Sequence, residues 1–281
     1  MGLVSLKTIL KKAQQERYAV GAFNVENMEM IQAVISAAEE LKAPVILQTT
    51  PSTLKYASPE LFFANAHALA SRATIPVAMH LDHGNSFEIV TRAFRAGYTS
   101  VMIDGSAYSL QDNIAITQKT VQLCRPSGVS VEAEIGCIGG KEDSLVAENI
   151  YTSTEDAVCF VKETQIDALA VAIGTAHGVY KSEPKIDIER LKEIHKAVDT
   201  PLVLHGTSGV ADEIVKECIQ NGICKVNYAT DLRIAFTKGV MSVLQKDSGV
   251  YDPKKYNSAA RKMVKEYVMG KMMVCGCTDK A

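Results

Sequence analysis

Three of the six histidines in this chain, His83, His177 and His205, each follow a short apolar segment and each precede a glycine (Gly84, Gly178, Gly206). Three neutral imidazoles that leave one coordination position open make a catalytic zinc arrangement. One such histidine alone reads as a hydrogen-bonded core residue; three with the same local pattern argue for a shared site. Asp82 directly precedes His83. A carboxylate beside a metal but not bound to it is placed for proton transfer, and the alternative is an acceptor that orients an imidazole. Successive strand residues point to opposite sides, so Asp82 and His83 can share a direction only where their strand ends. Glu134 is open in the same way, as an alternative ligand or an orienting group. Asp104 reads as a supporting residue. His80, on the strand face of Asp82, either supports the site from below or is purely structural. His67 and His195 fall in helical stretches and read as surface or packing residues.

These side chains need elements that bring them together. Eight β-rich segments recur along the chain: 18–24, 44–50, 76–82, 99–104, 130–134, 167–173, 201–205 and 223–227. Several are near-continuous apolar runs, as expected for strands buried on both faces of a parallel sheet. Helical periods lie between them. In 27–41 the set Ile31, Val34, Ile35, Ala38 and Leu41 makes one stripe. Ser58-Pro59 reads as a helix start, Glu155 and Asp156 suit a first turn, and Gly97 and Gly222 suit helix ends. Eight β/α units in 281 residues predict a single-domain (β/α)8 TIM barrel over 1–281. An open doubly wound sheet usually carries a glycine-rich turn after its first strand, and GAFNVEN is not GxGxxG. The glycine-rich stretch near 136–150 has no helical period and reads as a mobile loop over the barrel mouth.

In a barrel the carboxyl ends of all strands converge on one rim, where such enzymes place their chemistry. Asn24, Thr50, Asp82, His83, Asp104, Glu134, His177, His205 and Asn227 all map there. Two segments look built for phosphate: GTSG after His205, and Asn227 to Asp231 (NYATD) before a helix. Small-residue turns and helix N-termini offer backbone N–H groups to anions. The loops after strands seven and eight are the usual phosphate position in barrels.

A formal net charge of −2 gives no reason to expect nucleic acid or an anionic membrane as partner. No apolar run is long enough for a membrane span. The first twenty residues read as an amphipathic helix leading into a strand rather than a signal peptide. Seven cysteines lack disulfide-framework spacing, which fits a cytoplasmic protein with reduced thiols. Cys275 and Cys277 form a CGC tail with no second cluster nearby.

HLDHG (80–84), SVMIDGS (100–106), VEAEIGCIGGKED (131–143), VAIGTAHGVY (171–180), LHGTSG (204–209) and KVNYAT (225–230) together resemble the class II ketose-bisphosphate aldolases over essentially the whole chain. TPSTLKY (50–56), the extended 172–187 motif, NYAT and the CGC tail look like the tagatose-1,6-bisphosphate branch. HLDHG and SFEIV are closer to the fructose branch, which typically carries an acidic or amide residue where this chain has Ala229; Thr207 stands where glycine or alanine is usual. The resemblance implies zinc on His83, His177 and His205, holding the ketose oxygens and stabilising an enediolate. Asp82 would then carry the C4 hydroxyl proton, and Glu142 the proton at the carbon that becomes the enediolate. Asn24 and Thr50 would contact substrate. Gly178, Lys181, Gly206, Thr207, Ser208, Asn227 and Thr230 would bind the phosphate of dihydroxyacetone phosphate, with a monovalent cation (Na+ or K+) nearby. Arg261 would reach the other phosphate, within the chain or from a neighbouring subunit, in a homodimer or homotetramer of carbohydrate metabolism.

Rival readings remain. A Schiff-base aldolase needs a lysine inside the barrel, and Lys225 is the only good candidate. A non-catalytic barrel subunit that stabilises a partner aldolase should have lost the metal histidines; an activating partner subunit for this chain stays open. A metal-dependent hydrolase commonly takes an HxH pair from strand one, which here has no histidine.

Overall fold

The computed structural model describes residues 2–142, 145–147, 151–178, 180 and 184–281, with backbone alone for 140–142 and 145–147. Its strands are β1 (Val20–Asn24), β2 (Val45–Thr49), β3 (Val77–Gly84), β4 (Ser100–Ile103), β5 (Ser130–Ile135), β6 (Gly139–Glu142), β7 (Leu145–Ala147), β8 (Ala168–Val171), β9 (Ala176–His177), β10 (Leu202–Leu204) and β11 (Ile223–Tyr228). Eight of them close into a barrel in the order β1-β11-β10-β8-β5-β4-β3-β2, every neighbouring pair parallel. Each of the eight predicted segments supplies one barrel strand, so the fold is a single (β/α)8 barrel.

The helices follow from local chemistry. Asn27 caps Met28–Leu41 by accepting from the Met30 amide. Pro59 opens Pro59–Ala70, although the Ser58 side chain makes no cap bond. Ser153 caps the helix that carries Glu155 and Asp156 in its first turn. Gly97 ends Phe87–Ala96 in the left-handed region, and Gly222 takes that conformation just beyond Asn221 at the end of Asp212–Gln220. The amphipathic Leu6–Glu16 helix buries Leu6, Ile9, Leu10 and Ala13. Each of the larger three contributes about 1.5–3 kcal/mol by leaving water. Hydrogen bonds from Val4 to Val77 and from Lys7 to Ser130 fasten this segment across strand beginnings, so it plugs the amino-terminal end. The carboxyl end is left for the site.

Two expectations change. The stretch after β5 is not irregular throughout: β6 and β7 pair antiparallel, and β9 adds to β6 in parallel. Residues 143–144 and 148–150 lie outside the described residues. The sixth barrel strand stops at Val171, and His177 sits in β9 of this small sheet, opposite Gly140. The CGC tail is packing: Cys275 and Cys277 are buried, and Cys277 Sγ lies against the Met272 carbonyl. Among the described residues no helix is long and apolar enough to cross a membrane.

Candidate active site

Strand alternation should part Asp82 from His83, and β3 defeats it with a bulge. Leu81 pairs with Val101 but Gly84 pairs with Ile103, three steps on β3 against two on β4. The extra residue is absorbed at His83, whose φ of 48° is left-handed. Gly84 completes the kink, since a Cβ there would collide with the Met102 carbonyl. Both Asp82 and His83 thereby line one cavity at the carboxyl end of the barrel.

His83, His177 and His205 offer ring nitrogens that all lie within 4.8 Å of one another. Two of these rings have fixed tautomers. His83 Nδ1 is 2.8 Å from Asp104 Oδ2, and His205 Nε2 is 2.9 Å from Glu132 Oε1. Carboxylates accept and do not donate, so those two nitrogens carry the hydrogens. The opposite nitrogens, His83 Nε2 and His205 Nδ1, then present lone pairs to each other at 3.0 Å. Two facing lone pairs at that distance are satisfied by a cation between them. Glu134 Oε2, 3.5 Å from His205 Nδ1, adds negative charge at the same point, and His83, Asp104 and Glu134 form a second possible metal-holding group. The donor set therefore fits a divalent ion such as zinc.

Electrostatics keep the cluster in ligand form. Burial lowers His205, and lowers His177 far below the usual imidazole range, with neighbouring rings adding to both. Burial would raise the Asp104 carboxyl, but His83 and Ser106 outweigh it and hold the acid ionised. Asp82 behaves likewise: burial raises it, and His83, His205 and Lys225 bring it below the carboxylate norm. Its carboxylate accepts from Asn24 Nδ2 (2.9 Å) and Gln48 Nε2 (3.3 Å) at Oδ2, and from Asn227 Nδ2 (3.0 Å) at Oδ1. Oδ1 is 4.0 Å from His83 Nε2, beside the lone-pair cluster.

Apart from Arg233, the rest of the cavity wall is made mainly of small residues and backbone. Gly178, Gly206, Thr207, Ser208, Asn227 and Thr230 line it, together with Asn24. Gly206 has a φ of 64°, and a Cβ on it would sit 2.7 Å from the Ala176 carbonyl oxygen. Thr207 is accommodated because its hydroxyl donates to the Asn227 carbonyl, tying the turn after β10 to β11. Thr230 begins the helix Thr230–Leu244, whose free N–H groups favour an anion.

A family model for class II fructose-bisphosphate aldolase matches residues 4–280. The chain belongs to the class II fructose-bisphosphate aldolase family. It is 38% identical to the YdjI aldolase from Escherichia coli K12, over 99% of both chains, with a TM-score of 0.89. A candidate fructose-1,6-bisphosphate aldolase from Coccidioides immitis is 32% identical over 98% of this chain and 97% of its own, with a TM-score of 0.90. Fructose-bisphosphate aldolase from Campylobacter jejuni, 24% identical over 100% of this chain and 97% of its own, shares the fold at a TM-score of 0.85. The chain is thus an aldolase, a carbon–carbon lyase.

Not every predicted site residue of the aldolase reaches the cavity. Thr50 caps the short helix Pro51–Tyr56 through its own hydroxyl. Arg261 lies on Pro253–Cys275 and donates to Gln32 Oε1 on an exposed surface. Lys181 and the side chain of Glu142 fall outside the described residues. His80 lies beneath the cluster, donating or accepting at Ser100 Oγ (2.7 Å), and burial with the Lys225 charge pushes it down to about 3.

Sequence reasoning missed several participants. Glu132 is two residues before Glu134, on the same strand face, and that spacing was the available signal. Gln48 was legible as the buried amide of an otherwise apolar strand. Arg233 lines the cavity and is held by Glu26 at 2.6 Å. The Tyr180 hydroxyl accepts from the Ala176 amide (2.6 Å) and donates to the Gly206 carbonyl (2.7 Å), bolting β9 to the phosphate-type turn.

Proposed function

We propose that this aldolase cleaves D-tagatose 1,6-bisphosphate between C3 and C4, giving dihydroxyacetone phosphate and glyceraldehyde 3-phosphate, with zinc held by His83, His177 and His205. The observation that carries this reading is the pair of opposed imidazole lone pairs at 3.0 Å with the Asp82 carboxylate beside them. Bound there, a divalent cation supplies Lewis-acid polarisation of the ketose carbonyl. The chain's own residues do the remainder. Asp82, ionised and held by three amide donors, accepts the C4 hydroxyl proton as the C3–C4 bond breaks and the aldehyde forms. The bonding pair stays on C3 and spreads toward C2. Glu142, at the end of β6, protonates C3. Gly206, Thr207, Ser208, Asn227 and Thr230 cradle the phosphate next to C1, with Gly178 and Lys181 and a monovalent cation completing it. Glu134 serves as the alternative ligand.

The tagatose assignment is supported by Ala229, which lines the cavity without a polar atom where the fructose branch carries one. A Schiff-base route is disfavoured because Lys225 Nζ is fully buried against Glu132, at 2.9 Å, and does not line the cavity.

Initial cleavage rates on tagatose and fructose 1,6-bisphosphates, with chelator and then with zinc restored, test the proposal. Zinc-restorable cleavage that prefers tagatose is expected. A fructose preference would overturn the substrate assignment alone, and cleavage that survives complete metal removal would overturn the three-histidine site.

A further inference from the structure

Directly beneath the cluster lies an ion pair that the reaction itself does not call for. Glu132 and Lys225 are both fully buried, on β5 and β11. Lys225 Nζ makes three contacts: Glu132 Oε1 at 3.1 Å, Glu132 Oε2 at 2.9 Å and Asn227 Oδ1 at 2.8 Å. An ammonium only donates, so each contact dictates the state of its partner. Glu132 faces a fixed positive charge and remains an acceptor, which obliges His205 to carry its hydrogen on Nε2, 2.9 Å away. Asn227 must turn its oxygen to Lys225 and its NH2 group to Asp82 Oδ1, 3.0 Å away. One buried cation thereby reaches the metal-facing nitrogen and the proton-carrying carboxylate by separate hydrogen-bonded arms.

We infer that Lys225, acting through Glu132 and Asn227, is a positioning residue that locks His205 in the tautomer needed to bind metal and aligns Asp82 beside it. The inference rests on the proposed three-histidine metal site. A buried pair of this kind is weak evidence for a stability role, because apolar residues of similar volume commonly replace one without loss. A specific task at the two groups it touches accounts for its presence here. Without the pair, His205 is free to place its hydrogen on Nδ1 and so block its metal-facing lone pair.

The test begins with metal-free wild-type protein. Nitrogen-15 NMR should show His205 as the Nε2–H tautomer; the Nδ1–H form would overturn the inference without any variant. Zinc affinity is then measured by competition with a chromophoric chelator for wild type, Glu132→Gln and the apolar double variant Glu132→Leu/Lys225→Met. The double variant removes both charges together, so it avoids stranding one of them. We expect its far-UV spectrum and melting behaviour to stay close to wild type. Its zinc affinity should fall by about 10–100-fold, the usual effect of losing a ligand-orienting partner, and His205 should become a mixture of tautomers. Zinc affinity within about threefold of wild type, well short of that expected loss, would overturn the inference, as would an unchanged tautomer. Failure of wild type to bind zinc at all would instead overturn the metal site on which it rests.

Discussion

Replacing Asp82 by Asn separates the proton-carrying role proposed for this residue from its structural one. The carboxylate has three amide donors: Asn227 on Oδ1, and Asn24 and Gln48 on Oδ2. An Asn side chain has one oxygen, so its NH2 group must face either one of these donors or two. The less costly orientation keeps oxygen toward Asn24 and Gln48 and opposes NH2 to NH2 at Asn227. One buried donor left without an acceptor costs about 1–3 kcal/mol, against a total stability on the order of 5–15 kcal/mol, so the variant folds. Loss of a general base lowers the chemical step by about 10²–10⁴-fold, equivalent to roughly 2.7–5.4 kcal/mol of barrier. Two assays on one preparation distinguish the consequences. Cleavage is followed by release of glyceraldehyde 3-phosphate, and solvent hydrogen exchange is followed on dihydroxyacetone phosphate, which has no C4 hydroxyl. D82N should lose cleavage by the factor above and keep exchange. Unchanged cleavage would remove Asp82 from the chemistry. Equal loss of both activities would show that its part is to hold the site together.

Two further outcomes follow from the same geometry. His80 is held down to about 3 from an ordinary 6.5, so between those values the unfolded chain binds more protons than the folded one. Its contribution to stability is therefore complete above pH 6.5 and falls as pH drops toward 3, by at most about 1.4 kcal/mol per unit. Urea unfolding of metal-free protein across that window should show this decline, less steeply in H80Q; identical slopes would refute the assignment. G206A should lose about 1–3 kcal/mol of stability because its backbone is left-handed. The new methyl group would also displace the turn from Ala176, so dihydroxyacetone phosphate should bind more weakly by calorimetry. Unchanged affinity would place the phosphate elsewhere.

Much of this site was readable along the chain. Strand and helix periods are local, so the eight units and their closure into a barrel followed from hydrophobic pattern. A parallel barrel sends every strand's carboxyl end to one rim. For that reason His83 and His205, on different strands, could be grouped before any coordinates, and so could the small-residue turn after β10 and Asn227 on β11. Asp82 was recognisable as a carboxylate next to a candidate ligand.

Other features depend on distances that no local pattern encodes. The bulge that lets Asp82 and His83 face one cavity is a mismatch of register between β3 and β4, created only when the two strands pair. His177 reaches the cluster on β9, held by β6 from a distant stretch of chain rather than by the barrel strand before it. Arg261 was expected to reach substrate, but in the single chain its helix directs it to Gln32. Alternation put Glu132 and Glu134 on one face of β5 but could not say which would meet His205 Nε2 and which Nδ1. That choice depends on the stagger of strands around the closed barrel, which also sets Lys225 against Glu132 across 93 positions of chain. Residue type and period were enough to name the fold, to group candidate metal ligands and to place most of the candidate rim. Tautomers, the direction of the Asp82 carboxylate and the buried ion pair were decided by tertiary structure, because a hydrogen bond is set by ångström distances between strands that sequence spacing does not measure.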